Sequence, residues 1–508
     1  MEVFGLLLNG FAVAVEPGNL LAVLVGVLLG QIIGALPGIG PSLGMALLLP
    51  ISFGLPPVTA IVLLSGIMYG AMYGGTLTSV LINVPGESSG IMTTLEGHKL
   101  ARQGRAGPAL AMAAIGSFIA GTGTIFLLMF LALWISKFAI NFAPPEYFLL
   151  AALGLTATAS MGEGSALKAL FMGVIGLMLA LVGTDPMMGT ERLTFGQTNL
   201  LDGIDFLPIA IGVFGIAEVL ASLERFFTLD PIRTRVRDMW PRWKDWVECR
   251  MAIFRGTGVG FVLGVLPGVG PTASTFIAYA VEKRFTKHPE NFGKGALDAV
   301  ASVESANNSA VVGSLVPMLT LGIPGSGLTA VLLAAFVLQG IRPGPLLMTD
   351  QPDLAWGLIA SMFVGNLMLL IMNLPLAPFF AMLLRVPYVY LAPGILLLSV
   401  VGAYASSLRL FTVGMALFFG VVGYLMIKAR LPRAPLILGI VLGPIMEQAL
   451  RQSLMMSHGS LSIFFNRPIA LVLLILVVLS LVLPMIGAVR RAAAKVQSEA
   501  DEVDSAAT

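Results

Sequence analysis

The sequence has few charged residues. Of its 508 residues only 11% are Asp, Glu, Lys or Arg, whereas 57% are hydrophobic. Soluble globular proteins carry about 25% charged residues, so this composition excludes a soluble domain. Several apolar runs reach the ~20 residues that a membrane-spanning helix needs. They include residues 58–82, 109–135, 354–384 and 469–486. The sequence therefore predicts an all-α polytopic membrane protein that is embedded in a lipid bilayer.

Cysteine and histidine are also scarce. The single cysteine, Cys249, excludes an internal disulfide, and the three histidines are far apart in the sequence. The chain has neither a G-x-x-x-x-G-K-[ST] motif nor a His-Glu-x-x-His motif. We therefore expect no ATP hydrolysis, no metalloprotease activity and no metal site. Since a paired acid–base set is missing as well, we expect a protein that is not an enzyme and that has no cofactor.

Lys and Arg cluster in a few segments of the chain. These segments are 98–105, 225–250, 283–294, 428–433 and the tail after residue 489. By the positive-inside rule they face the cytoplasm. The longest of them also carries Trp240, Trp243 and Trp246, and basic residues mixed with tryptophan are typical of a membrane interface. We therefore expect no nucleic-acid partner.

One short segment occurs twice in the chain. Residues 30–42 read GQIIGALPGIGPS and residues 260–272 read GFVLGVLPGVGPT, with identical residues at seven of the thirteen positions. The pattern Val-Pro-Gly at 84–86 likewise returns as Ile-Pro-Gly at 323–325. These matches predict two homologous membrane repeats. The expected division is a first repeat at 18–225, a basic cytoplasmic linker at 226–250, a second repeat at 251–455, and an extra transmembrane helix with a cytoplasmic tail at 456–508.

Pro and Gly interrupt both copies of the repeated segment. The second copy has basic segments on both sides, and its arms of about 12–15 residues extend only ~20 Å at 1.5 Å per residue. This pattern predicts a re-entrant hairpin that stops inside the membrane. The first copy has no Lys or Arg on either flank, which favours insertion from the opposite face and hence inverted repeats. The alternative is that both copies are complete kinked helices in a parallel duplication.

Four broken-helix segments are candidates for a binding site. Pro removes a backbone donor, and Gly lets a ligand approach the chain. The freed N–H groups and helix N-termini attract anions, whereas freed carbonyls together with Ser, Thr and Asn oxygens suit Na⁺. The candidate residues are Gly38, Gly40, Ser42, Asn83, Gly86, Ser88, Gly268, Gly270, Thr272, Gly325 and Ser326. Paired interruptions in two membrane halves indicate a transporter site; the alternative is that each Pro-Gly pair is only a kink or a turn.

A polar stretch of the second half adds to this site. Asn307, Asn308 and Ser309 are predicted to line it, because polar groups at membrane depth usually face a cavity or a pathway. Asp298 and Glu304 either join them or remain at the basic interface. In the first half the matching stretch, 69–79, carries tyrosines and hydroxyl residues among glycines. This stretch either lines the site or packs helices together.

Taken together, these motifs resemble the large membrane subunit of the tripartite tricarboxylate transporter family (TctA-like). The resemblance is carried by the doubled Leu-Pro-Gly-x-Gly-Pro, by Tyr-Gly-Gly at 73–75 before Val-Pro-Gly-Glu, and by Glu304-x-Ala-Asn-Asn with Gly-Ile-Pro-Gly-Ser at 322–326. It implies a bacterial inner-membrane protein of about 12 transmembrane helices. Its partners would be a small membrane subunit (TctB-like) and a periplasmic substrate-binding protein (TctC-like).

The same resemblance implies a function. The chain would import an organic carboxylate of the tricarboxylate or dicarboxylate type, such as citrate. The driving force would be a gradient of Na⁺ or H⁺, and the site would be exposed by alternating access. The alternative is a membrane channel, or a structural subunit of a larger complex, without ion-coupled transport.

Overall fold

The fold is nearly all helical. The computed structural model describes residues 2–36, 40–139, 141–161, 166–185, 187–224, 232, 240–266, 269–377, 379–380 and 388–482. Seven helices within these ranges are long and apolar enough to cross a membrane. The predicted all-α polytopic fold is thus confirmed, while the total of about 12 transmembrane helices stays a prediction.

The helices are numbered in chain order. In the first half they are α1 (Glu2–Ala14), α2 (Pro17–Gly34), α3 (Pro41–Leu48), α4 (Pro57–Ile82), α5 (Ile91–Leu100), α6 (Ala106–Ala139), α7 (Pro144–Met161), α8 (Ala166–Ala180), α9 (Phe206–Ala210) and α10 (Ala217–Leu223). In the second half they are α11 (Trp243–Val265), α12 (Gly270–Phe285), α13 (Leu297–Leu321), α14 (Gly327–Leu338), α15 (Leu347–Asp350), α16 (Pro352–Asn373), α17 (Tyr388–Ser407), α18 (Leu410–Lys428), α19 (Arg433–Met456), α20 (Ile463–Asn466) and α21 (Pro468–Val482). Two short strands, β1 (Gly183–Thr184) and β2 (Glu191–Arg192), pair antiparallel.

The chain forms two compact units. The first unit combines Met1–Asn141 with Asp205–Lys428, and the second combines Phe142–Ile204 with Ala429–Thr508. The candidate site residues that the structure describes all belong to the first unit. The predicted division into repeats at 18–225 and 251–455 follows sequence similarity rather than compactness, and it stays a prediction.

Glycines on α2 let this helix lie directly against α4. A Cβ atom at Gly30 would stand 2.3 Å from the carbonyl oxygen of Ile67, and one at Gly34 would stand 2.0 Å from that of Ala71. Gly26, one turn earlier, has the same relation to Leu63 at 2.3 Å. Such backbone contact is how helices associate in a membrane, where lipid provides no hydrophobic drive between helices.

The second half repeats this contact between α11 and α13. The spacing from Gly26, Gly30 and Gly34 to their counterparts is 230 positions in each case. Cβ atoms at Gly256, Gly260 and Gly264 would stand 2.2, 2.3 and 2.5 Å from the carbonyl oxygens of Ser302, Ala306 and Ala310. The two copies of the repeated segment therefore pack in the same way on the helix that follows each of them. The inverted orientation of the two halves remains a prediction.

The first arm of the second copy is longer than expected. Helix α11 has 23 residues and α12, after the break, has 16; the corresponding helices of the first copy, α2 and α3, have 18 and 8. The prediction of about 12–15 residues for each arm of the second copy was therefore wrong for α11. The helix α11 starts inside the segment assigned to the linker, because Asp245 caps it: its Oδ2 accepts the backbone N–H of Arg242 at 2.9 Å, and its Oδ1 pairs with Arg105 at 3.0 Å. A capped start lets the helix extend before the apolar part begins.

A buried carboxylate fixes the start of α13. Glu96, on α5, accepts the backbone N–H groups of Gly295 at 2.8 Å and Ala296 at 3.0 Å, and also that of Gly293. The hydroxyl of Tyr279 donates to the same carboxylate at 2.6 Å. These bonds satisfy donors at the N-terminal end of α13, where negative charge is favoured. They set the position of the helix that carries Asn307 and Asn308.

In the second unit, a ring of four charges ties the β1–β2 hairpin to α19. Arg451 pairs with Asp185 at 2.9 Å and with Glu447 at 2.8 Å, while Arg192 pairs with Glu447 at 2.6 Å and with Asp185 at 3.8 Å. Asp185 also accepts the backbone N–H groups of Met187 and Met188. These N–H bonds, with Arg451 adding to them, hold the pKa of the Asp185 carboxyl below its usual value.

The lowered pKa of Asp185 predicts how the hairpin responds to acid. A depressed pKa means that the stabilising contribution is complete above the ordinary value of about 4 and is lost as pH falls through the folded-state value. We expect hydrogen exchange of the amides of Met187 and Met188, corrected for intrinsic rates, to stay protected from pH 7 to pH 5 and to lose protection only below about pH 4. The variant Asp185→Asn should show low protection throughout. Protection in the wild type that already falls between pH 7 and pH 5 would contradict this assignment.

Candidate functional site

The tips of the two hairpins contain the first group of predicted residues. Gly40 directly precedes α3, and Ser42 lies in its first turn. Gly270 begins α12 with a φ of +63°, a left-handed conformation that favours glycine, and Thr272 follows within the first turn. Gly38 and Gly268 lie outside the described residues. Each tip therefore places small residues at a helix N-terminus, where N–H groups are free to bind an anion.

Both hairpins pack closely against the second pair of Pro-Gly breaks. A Cβ atom at Gly86 would stand 2.6 Å from the Cα of Gly75 and 3.1 Å from the carbonyl oxygen of Gly34. Gly325 is equally constrained, since a Cβ there would stand 2.9 Å from the Cβ of Ser314. Both positions require glycine for packing. In addition, a Cβ at Gly270 would stand 3.7 Å from the Cβ of Ser326, so the second hairpin tip adjoins the break of its own half.

The breaks of the two halves also pack against each other reciprocally. Helix α12 of the second half packs against the turn Ser88–Gly90 of the first half. Helix α3 of the first half packs against α14 of the second, which begins 239 positions after that turn. The predicted residue Ser88 is thereby brought next to the second hairpin. Broken segments of the two halves are thus in contact within the first unit.

Two of the predicted residues also have structural roles. Asn83 is exposed and ends α4 in a left-handed conformation (φ 58°), the same role that Gly322 (φ 71°) has at the end of α13. Asn tolerates this conformation better than other non-glycine residues. Ser326 caps α14, because its backbone N–H donates to the hydroxyl of Thr329 at 2.8 Å and its own hydroxyl accepts from the Thr329 N–H at 3.3 Å.

The two asparagines of α13 are buried, at 5% and 4% exposure. The side-chain oxygen of Asn307 has no hydrogen-bond partner within the described part of the chain. Asn308 and Ser117 lie beside the hydroxyl of Tyr73, which in turn donates to Asn366 at 3.4 Å. A buried polar atom without a partner is costly, and it is commonly a binding position.

Glu304 joins this cluster, whereas Asp298 does not. Glu304 is 4% exposed, and the hydroxyl of Thr76 donates to its Oε2 at 2.7 Å while that of Thr93 donates to its Oε1. Asp298 lies instead at the start of α13, where it accepts from Thr286 at 2.5 Å and from the N–H of Ala299. Asp298 is thus separate from the cluster that Glu304 joins.

Several members of the cluster were not predicted individually. They are Tyr73, Thr76, Thr93, Ser117 and Asn366. The stretch 69–79 was expected either to line the site or to pack helices; it packs helices together, and its lining role stays a prediction. Gly70 and Gly74 face the backbone of α2, whereas Tyr73 and Thr76 face α13 and α16. The signal available in the sequence was the turn-by-turn alternation between glycines and hydroxyl residues.

The cluster offers amides, hydroxyls and one carboxylate, with free backbone groups nearby. No set of three His, Cys, Asp or Glu side chains that could hold a metal ion occurs in the described ranges. Such a set of polar groups can replace the hydration shell of a small ion and can hold an anion through N–H donors.

The second unit contains a separate cavity that sequence reasoning missed. Its volume is about 470 Å³, and its charged lining residues are Arg192, Asp202, Glu447 and Arg451. The arginines are paired with acids, so the lining is electrically balanced. Arg192 and Glu447 are 255 positions apart, and no local pattern in the sequence brings them together.

Comparison with known proteins identifies the relatives of this chain. The family model described as "Tripartite tricarboxylate transporter TctA family" matches residues 20–438. A protein of Agrobacterium vitis, named as an uncharacterized 52.8 kDa protein in the TAR-I ttuC' 3' region, is 45% identical over 501 residues, which is 99% of this chain and 100% of that protein.

A second protein of Agrobacterium vitis, from the TAR-II ttuC' 3' region, is 44% identical over 231 residues, which is 46% of this chain and 96% of that protein. No solved structure matches the chain. The family match covers most of the sequence, including all four broken-helix segments and the Asn-Asn helix. The chain belongs to the tripartite tricarboxylate transporter TctA family.

Proposed function

We propose that the chain is the large permease subunit of a binding-protein-dependent secondary transporter, and that it imports an organic carboxylate together with Na⁺ or H⁺ by alternating access. The observation that carries this proposal is the reciprocal packing of the broken segments from the two halves. It brings hairpin tips and the polar cluster of α13 together in one unit. Transporters built from repeats bind their substrates at such junctions.

The chemistry of the segments supports a carboxylate as the substrate. Helices α3 and α12 each begin with a Pro-containing first turn, and the free N–H groups there attract anions. The hydroxyls of Ser42 and Thr272 add donors for carboxylate oxygens. In this proposal Gly38, Gly40, Gly268 and Gly270 allow the ligand to approach the backbone, and Asn307 with Asn308 completes the site.

The tripartite family also supports two partners. We propose a small membrane subunit (TctB-like) and a periplasmic substrate-binding protein (TctC-like) that delivers the carboxylate. With these partners the complex would lie in the bacterial inner membrane. The rival function, a channel or structural subunit, predicts flux only down the gradient of the substrate.

Transport by reconstituted protein tests the proposal. The chain and its two partner subunits are placed in liposomes, and uptake of a panel of labelled di- and tricarboxylates is measured under a Na⁺ gradient and, separately, under a pH gradient. We expect one of the two gradients to drive accumulation on the order of tenfold, equivalent to about 1.4 kcal/mol of coupling. Liposomes that lack this chain are the control. The proposal would be contradicted if none of the carboxylates were taken up, or if uptake only equalised the concentrations inside and outside the liposomes.

A further inference from the structure

Glu304 is a buried carboxylate without a cationic partner in the described part of the chain. Other buried acids in that part have stronger partners. Glu146 pairs with Arg467 at 2.6 Å and Glu282 with Arg255 at 2.6 Å. Glu96 accepts three backbone N–H groups. Glu304 has only the hydroxyls of Thr76 and Thr93.

The charged and titratable groups around Glu304 do not neutralise it. The helices packed on α13 include α4, α5, α6, α11, α12 and α14. Tyr73 of α4 and Glu87, which follows α4, interact electrostatically with Glu304, and neither brings a positive charge. Among the described residues of these elements, no Lys, Arg or His forms an ion pair with it. An unpaired ionised carboxylate in such a place is strongly disfavoured, so a mobile positive charge must neutralise it.

The partners of Glu304 come from the opposite half of the chain. Glu304 belongs to α13 in the second half, whereas Thr76 and Thr93 belong to α4 and α5 in the first. Ser117 of α6 also donates to the backbone carbonyl of Glu304 at 3.2 Å. Neutralising this one carboxylate therefore changes the interaction between the helices of the two halves. A coupling ion must produce this kind of change if it is to drive alternating access.

We propose that Glu304 is the residue on which the coupling cation binds, a proposal that rests on the transport function above. The shared chemistry is a single positive charge, supplied by H⁺ or by Na⁺. The arrangement seen here suits a proton, because a protonated Glu304 needs only one of the two hydroxyls to turn and accept its O–H, while the other keeps donating. The adjoining cavity beside Tyr73, Thr76 and Asn373 has a volume of about 10 Å³, space for a single water molecule. Sodium would require both hydroxyls to turn their oxygens toward the ion.

The variant Glu304→Gln separates coupling from substrate movement. Glutamine keeps the size of the side chain but carries no charge for the cation to neutralise. In the reconstituted system we expect gradient-driven accumulation to fall at least about tenfold, while exchange of labelled for unlabelled carboxylate stays within about threefold of the wild type. The control is Glu290→Gln, an exposed residue of the loop before α13, which should leave both activities unchanged. The gradient that drives accumulation by the wild-type protein shows whether the coupling ion is H⁺ or Na⁺.

A second measurement does not depend on transport. The thermal midpoint of the purified wild-type chain should rise with falling pH if the ion is H⁺, or with added NaCl relative to KCl if it is Na⁺. Glu304→Gln should lose that response, and Glu304→Asp should retain part of it. Accumulation by Glu304→Gln equal to that of the wild type, or an unchanged thermal response, would overturn the assignment. Absence of any uptake by the wild type would contradict the transport function, whereas the thermal response would still test Glu304.

Discussion

Replacement of Gly260 by Val is expected to abolish folded protein. A Cβ at this position would stand 2.3 Å from the carbonyl oxygen of Ala306 and 2.7 Å from its Cα. The obstacle is the backbone of α13 rather than a flexible side chain, so it cannot move aside without separating the two helices. Overpacked cores typically lose 1–3 kcal/mol, and a backbone collision of this size should cost at least about 3 kcal/mol. Close helix packing in a membrane depends on such small residues.

Size-exclusion chromatography of a fluorescent fusion in mild detergent measures this effect. We expect the monodisperse peak of the wild type to disappear in Gly260→Val. The matched control is Gly258→Val on the same helix, where a Cβ meets nothing within 4 Å. Its peak should keep the height seen for the wild type. A normal peak for Gly260→Val would show that α11 and α13 are not in backbone contact.

Replacement of Asn308 by Ala is expected to abolish uptake while the protein remains folded. Asn308 is buried in the polar cluster beside Tyr73, and alanine removes the amide that would contact a ligand. Loss of a hydrogen bond to a charged ligand, together with the unpaired groups left behind, is worth ~3 kcal/mol, or roughly 100-fold. We therefore expect carboxylate uptake in liposomes to fall by about two orders of magnitude.

The neighbouring residue supplies the control for this experiment. The hydroxyl of Ser309 donates to the carbonyl oxygen of Thr257 at 2.7 Å, on the face of α13 that packs against α11. Ser309→Ala should therefore keep uptake within about threefold of the wild type, because a single neutral hydrogen bond contributes only ~1 kcal/mol. Uptake at the level of the wild type by Asn308→Ala would remove this residue from the site.

Local sequence features predicted the parts of the site that depend on the backbone. The Pro-Gly breaks could be located because Pro removes a donor and Gly permits the left-handed conformation that Gly270 adopts. The repeated segment could be recognised, and the structure shows a packing role for two glycines of each copy: Gly30, Gly34, Gly260 and Gly264 each face a carbonyl oxygen of a neighbouring helix. A comparison of Asn83 with Gly322, 239 positions later, would also have indicated a capping role for that asparagine.

Other features depend on distant pairs of residues. Thr76 and Thr93 lie 228 and 211 positions from Glu304, and helical periodicity does not say which distant helix a given face meets. The predicted length of α11 was too short, because the cap formed by Arg242 and Asp245 lets this helix begin in a polar segment. The ring of four charges in the second unit could not be predicted as a whole, because its members come from two distant parts of the chain.

The glycine contacts constrain how the first unit can move. At Gly30 and Gly260 the neighbouring carbonyl oxygens leave no space for a Cβ, so a shift along the helix axis by one residue would bring Gln31 or Phe261 against that backbone. Helix α2 therefore cannot slide past α4, and α11 cannot slide past α13. In the proposed transport cycle each pair has to travel as one piece. The proposed conformational change would then take place elsewhere, at the joints between these pairs and the shorter arms α3 and α12.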